Sequence, residues 1–193
     1  HHWLPCVDHP ADKATVEFVI TAPAHYKVVA NGVLRDEKDL GQGFKQTTYS
    51  EDTPLPTKVM AIGVSDFSVQ QSGVYSGVPV YSWVYPEEKE MGEKDYAQAL
   101  DVLPFYASHI GPYAYRKLAN VQSRTRFGGL ENANAIFYSE NSITGHLKNT
   151  ALIAHEIAHQ WFGNMATEKD WPHVWLSEGF ATYMTNCYME SRL

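Results

Sequence analysis

Ala154-His155-Glu156-Ile157-Ala158-His159-Gln160-Trp161-Phe162-Gly163-Asn164 is the stretch on which the fold turns. Residues 149–162 are helix-forming, Ile153, Ile157 and Trp161 fall on one stripe suited to a core, and Gly163-Asn164 is a stop signal. On a helix, residues four apart share a face about one turn apart, so the imidazoles of His155 and His159 can reach one cation. Glu156 is offset from that face and can point at a water in the cation's open position. Chance alone supplies His-Glu-x-x-His in about three in a hundred chains of this composition, so the motif needs support from its surroundings.

A metal site with an open position takes three protein ligands. Eighteen residues separate His159 from Glu178, which stands in Trp175-Leu176-Ser177-Glu178-Gly179-Phe180-Ala181. Taken singly it reads as a surface carboxylate. Its apolar neighbours argue for burial, and a buried carboxylate needs a partner such as a metal. Residues 174–190 read as a second helix. Laid antiparallel to the first, it carries Glu178 to the two histidines.

His155 to Asn164, together with the glutamate of the 175–181 stretch, resembles the gluzincin zinc aminopeptidases, the relatives of aminopeptidase N and of the leukotriene epoxide hydrolase/aminopeptidase. Gly128-Gly129-Leu130-Glu131-Asn132 is similar to that family's Gly-x-Met-Glu-Asn exopeptidase motif, with Leu130 for Met, a swap that conserves volume. Trp3-Leu4-Pro5-Cys6-Val7-Asp8-His9-Pro10 resembles the family's entry into the last part of its N-terminal β domain, and Ile110-Gly111-Pro112-Tyr113 resembles a helix-to-strand turn. Ser177 departs from the pattern, standing where many relatives carry Asn before the third ligand.

The resemblance implies one zinc ion held by His155, His159 and Glu178, with Glu156 as general base and acid. It implies that Glu131 anchors the substrate's α-ammonium, and that backbone groups of Gly128 and Gly129 line the substrate, where glycine permits close approach. A carboxylate at a fixed distance from the metal places the scissile bond one residue from a free N-terminus. The expected activity is therefore removal of N-terminal residues from peptides. The alternatives are lipid epoxide hydrolysis on the same zinc site, and a non-catalytic scaffold or binding module that keeps the fold; the intact ligand set and Glu156 speak against the second. The family's catalytic domain runs well past the third ligand and there supplies a tyrosine for the transition state. Tyr183 and Tyr188 lie too close to Glu178 for that role. The chain accordingly reads as an internal fragment, expected to be inactive in isolation.

Outward from the motif, residues 1–85 read as strands, at 14–20, 26–30, 44–49, 58–64 and 78–84, separated by turn signals such as Asn31-Gly32 and Ser76-Gly77. From Pro86 the pattern turns helical over 96–109, where Pro104 is expected to kink it, with short strands at 118–122 and 135–138. The expected fold is α+β: residues 1–85 the end of a β domain, and 86–193 the first part of a thermolysin-like zinc peptidase domain. The 44% hydrophobic and 19% charged composition is that of a globular protein, and no stretch has the roughly 18 apolar residues of a membrane span. A net charge of −7 without a basic run argues against nucleic acid. Cys6 and Cys187 give no reason to expect a disulfide. No leader is readable where His1, His2 and Trp3 run into Leu4-Pro5-Cys6, and the His1-His2 pair reads as native rather than a tag remnant. Arg124, Arg126, His173, Asp8 and His9 read as surface or loop residues.

Overall fold

The structure, a computed structural model, describes residues 3–193; the His1-His2 pair lies outside the described residues. The α+β class is the one observed. The first module is an antiparallel sheet of three strands, β1 (Lys13–Pro23), β3 (Val33–Gly41) and β4 (Phe44–Pro56), in the order β1-β4-β3, beside a two-stranded ladder of β2 (Lys27–Ala30) with β5 (Ile62–Ser65). Phe18, Val28, Tyr49, Leu55, Val59 and Tyr115 form its core.

A five-stranded mixed sheet follows. Its strands are β6 (Ser68–Tyr75), β7 (Val78–Val84), β8 (Leu118–Ser123), β9 (Gly129–Leu130) and β10 (Ala135–Ser139), in the order β6-β7-β8-β10-β9. β7, β8 and β10 run parallel, and β9 is an antiparallel edge. Parallel strands bury both faces, and the side chains divide with period two. Leu118, Ile136 and Tyr138 face a helical layer, while Ala119, Val121 and Phe137 pack with Trp83, Phe67 and Val29 on the other side. The helices are α1 (Lys89–Tyr96), α2 (Ala99–His109), α3 (Thr150–Ala158) and α4 (Val174–Glu190). The change from strand-rich to helix-rich sequence at residue 86 is present, but the hydrogen-bonded sheet continues across it, since β7 pairs with β8 from Val80↔Leu118 to Trp83↔Val121.

Several elements differ from their expected form. The segment 58–64 is not one strand: a 3-10 turn, Thr57–Val59, precedes β5. The helix expected over 96–109 is α2, which starts three residues later and carries Pro104 inside it, and a further helix, α1, precedes it in the charged lead-in. β3 carries Arg35-Asp36-Glu37-Lys38-Asp39 and is exposed along almost its whole length, so no apolar alternation marks it. β6 is marked only weakly, by Ser68-Val69-Gln70-Gln71. α3 ends at Ala158, four residues earlier than expected, and α4 has the expected bounds.

Two buried charges position these layers. The Asp95 carboxylate accepts from the backbone N–H groups of Thr144 (2.5 Å), Gly145 (2.8 Å) and Leu147 (3.1 Å) and from the Thr144 hydroxyl (3.1 Å), which folds the loop that leads into α3. The Lys117 ammonium is buried between the modules and donates to the carbonyls of Ala30 (2.7 Å) and Gly32 and to Asn134 Oδ1 (2.6 Å). Burial pulls its pKa down to about 7, with Glu51 opposing. Glu51 in turn accepts from Asn134 Nδ2 at 2.8 Å, so a polar chain runs from the first module to the segment behind β9. Among the described residues no helix is long and apolar enough to cross a membrane.

Candidate metal and active site

α3 is a buried helix by sequence. Ile153, Ala154, Ile157 and Ala158 pack against α2 and the sheet, and each large aliphatic side chain so buried contributes about 1.5–3 kcal/mol. The helix leaves His155, Glu156 and, as its C-terminal cap, His159 on the remaining side. α4 crosses this end of α3. Gly163, at φ 111°, permits the close crossing: a Cβ there would come within 3.2 Å of the Ser177 side chain.

Three electron-rich atoms meet at the crossing. His155 Nε2 and His159 Nε2 are 3.1 Å apart, and Glu178 Oε2 lies 3.3 Å from the first and 3.5 Å from the second. His159 Nδ1 is 3.0 Å from the Phe162 carbonyl oxygen, which can only accept, so Nδ1 carries a proton and directs Nε2 toward Glu178. A proton or a cation is needed to hold three such atoms together. For zinc–nitrogen bonds of about 2.0–2.1 Å, tetrahedral ligands lie about 3.3 Å from one another, and the observed edges fit that spacing. Among the described residues, His155, His159 and Glu178 are the group of three side chains able to hold a metal ion. Two histidines and a carboxylate are a donor set that catalytic zinc sites use.

The charges of Glu178 and His155 agree with this use, while His159 is drawn toward its protonated form by the carboxylates around it. Hydrogen bonding from His159 holds the Glu178 carboxyl down to about 2, so it is ionised throughout the physiological range. Burial and the neighbouring His159 lower the pKa of His155, favouring the neutral imidazole that a metal requires. For His159, burial also opposes the charge, but Glu178, Glu131, the Phe162 carbonyl and Glu156 outweigh it and raise the pKa. Glu156 is buried, and burial pushes its carboxyl up to about 8 against the attraction of His159. Its carboxylate lies against the backbone of Gly129, where a Cβ would overlap it.

Glu131 follows β9. Its carbonyl oxygen accepts from Gln160 Nε2 (3.1 Å) and Asn164 Nδ2 (2.6 Å), while Gln160 Oε1 accepts the backbone N–H of Asn134 at 2.8 Å. Asn134 has a positive φ of 52°, a conformation asparagine tolerates. The residue next to His159 thus clamps both ends of the turn that carries Glu131. Gly128 is exposed and Gly129 half-buried at the open edge of the sheet. Sequence reasoning missed Gln160, Asn164 and the buried Glu168. The first two lie inside the deciding stretch, but their partners are 26 to 33 residues away. Of the residues read as surface or loop positions, Arg124 pairs with Glu140 on the surface, His173 is exposed at the N-terminal cap position of α4, and His9 faces Asp170 at 3.4 Å. Cys6 and Cys187 are both free.

Comparison with known proteins gives a consistent picture. Residues 95–192 match the Peptidase family M1 domain, and residues 1–59 match the Peptidase M1 N-terminal domain. The chain is 30% identical to the glutamyl aminopeptidase of Sus scrofa over 191 residues, which is 93% of this chain and 20% of that protein. It is 32% identical to the leucine aminopeptidase 2 of Pyricularia oryzae over 190 residues, 94% of this chain and 29% of that protein. It is 29% identical to the aminopeptidase N of Rattus norvegicus over 196 residues, 94% of this chain and 20% of that protein. The chain therefore spans between a fifth and under a third of the length of these relatives.

Proposed function

This chain belongs to peptidase family M1, and we propose that it carries the zinc site of an aminopeptidase acting on peptides with a free N-terminus. The observation that supports this most is the triangle of His155 Nε2, His159 Nε2 and Glu178 Oε2 with the buried Glu156 carboxyl alongside. Zinc bound by these three would polarise the scissile carbonyl and bring a water's pKa to about 7.

The chain's own groups do the rest. Glu156 takes the proton of the attacking water on its carboxylate and delivers it to the leaving amine. Its raised pKa suits both halves of that task, because a group that titrates near neutrality can accept and then release a proton. Glu131 receives the substrate's ammonium. Gln160 and Asn164 hold its backbone in fixed relation to His159, and that distance selects the first peptide bond. The open edge at Gly128 and Gly129 offers backbone groups to an extended peptide, as an added strand would use them. The names of the relatives agree with an exopeptidase.

Metal analysis of the purified protein, with a panel of aminoacyl amides and their N-acetylated forms, tests the proposal. About one zinc per chain and turnover confined to free amines is expected. Absence of zinc, or equal cleavage of both forms, overturns it, and hydrolysis of a lipid epoxide but no amide would replace the substrate class.

A further inference from the structure

Glu178 sits in an exposed place for a metal ligand. Its side chain is 55% accessible, and among the described residues it faces the two histidines it would share a metal with. α4 begins only four residues earlier, at Val174, without a side-chain cap. Something other than packing must fix where this carboxylate points.

The neighbouring residue supplies the answer. Ser177 is buried and its hydroxyl donates to Glu168 Oε2 at 2.7 Å. Glu168 stands in the loop between the two ligand-bearing helices. Its side chain is fully buried, and its other oxygen accepts from the ammonium of Lys58. Lys58 belongs to the 3-10 turn that closes β4, so this contact spans 110 residues and joins the first module to the metal site. The same loop is held at two further points: Lys13 Nζ donates to the Met165 carbonyl at 2.8 Å, and Trp171 Nε1 to the Asp8 carbonyl at 3.1 Å. A buried carboxylate between a cation and a hydroxyl is a stiff link, since each bond to a charged group is stronger than a neutral one and each orphaned partner would be costly.

We propose that Lys58, Glu168 and Ser177 form a positioning chain that fixes Glu178, so that the first β module takes part in setting the metal affinity. The inference rests on Glu178 being a metal ligand. Partners behind a ligand typically change metal affinity by about 10–100-fold when removed, and that range is expected here.

Zinc affinity, measured by competition with a chelator on the otherwise intact protein, is the readout, with the visible absorption of the cobalt-substituted protein as a second report on ligand geometry. Glu168→Ala and Ser177→Ala should each weaken zinc binding 10–100-fold and alter the cobalt spectrum, while Ser177→Thr, which keeps the hydroxyl, should restore both. Lys58→Met should act in the same direction. The deciding variant is the double one: Glu168→Ala should add little to the loss already caused by Glu178→Ala, because it acts through that residue. If Glu168→Ala weakens binding equally with and without Glu178, or leaves affinity unchanged, the positioning chain is refuted while the ligand set stands. If Glu178→Ala alone leaves zinc affinity intact, the ligand assignment fails and takes the chain with it.

Discussion

α3 and α4 each contribute to the proposed metal site, yet they hold their candidate ligands by opposite means. α3 is enclosed: Ile153, Ala154, Ile157 and Ala158 are fully buried, and His159 is only 2% exposed. α4 buries a single stripe, Ser177, Ala181, Thr185 and Tyr188, and leaves Trp175, Phe180 and Tyr183 largely exposed. On α3 the ligands are placed by shape, because a helix wedged between α2 and the sheet has little freedom to rotate. On α4 the ligand is placed by hydrogen bonds reaching in from another part of the chain. A site built this way has one rigid wall and one wall tuned by polar contacts. Changes on the two sides should therefore fail differently.

The largest effect belongs to the rigid wall. Glu156→Gln conserves the shape of α3 and removes the group proposed to take the proton. Turnover should fall by about 10²–10⁴-fold with zinc content unchanged. Near wild-type turnover in that variant would remove Glu156 from the chemistry. Next comes the packing itself. Ile157→Ala should lower stability by about 2–5 kcal/mol in a denaturation experiment, since it opens a cavity at a fully buried position between the two histidines. Thr185→Ala, on the buried stripe of α4, loses a 2.8 Å bond to the Ala181 carbonyl and should cost only about 0.5–1.5 kcal/mol. Comparable losses from the two would show that α4 is as tightly enclosed as α3.

A smaller effect, in specificity, belongs to the turn that the rigid wall clamps. Glu131→Ala should reduce activity on free-amine substrates by roughly 10–150-fold, the worth of about 1.5–3 kcal/mol in a charge-assisted contact, and hardly change the weak cleavage of N-acetylated ones. Equal losses on both substrates would mean that Glu131 supports the fold of the turn and does not touch the amine.

Much of this contrast was legible in the sequence, because it rests on local pattern. His155, Glu156 and His159 share one helix, so a four-residue spacing declares them, and Trp175, Leu176, Phe180 and Ala181 mark the helix of Glu178. What the sequence hid were the partners that complete each wall. Glu168 reads as one more surface carboxylate, since its lysine stands 110 residues away. Lys117 in sequence is an ordinary charged residue before a strand, and only the fold reveals three acceptors around it. β3 escaped for a related reason: a strand exposed on both faces has no apolar alternation to read. Short-range periodicity encodes the elements, and long-range polar pairing, which has no period, fixes how they meet.

The two adjacent glycines of β9 give the finest test of how close the rigid wall stands. The family resemblance implies one role for Gly128 and Gly129, as backbone beside the substrate. The structure separates them. A Cβ on Gly129 would overlap the Glu156 carboxylate, whereas a Cβ on Gly128 would meet only Leu152 Cδ1 at 3.5 Å, an ordinary contact. Neither residue is among those with a positive φ, so alanine is excluded by space at the first and by nothing in the fold at the second. Gly129→Ala must push either β9 or Glu156 aside by about 1 Å to restore ordinary contact distances, since a Cβ there would stand 2.3 Å from Glu156 Oε1. Turnover should drop by roughly 10²-fold, the cost of a misplacement of about 1 Å. The effect should fall on kcat with zinc content unchanged, because the displaced group is proposed to move the proton and not to hold the metal. Gly128→Ala should stay within about 0.5 kcal/mol of the parent in stability. Steady-state kinetics and denaturation of the two variants side by side decide the matter. If Gly128→Ala were the more damaging, the substrate strand and not Glu156 would be what these glycines make room for.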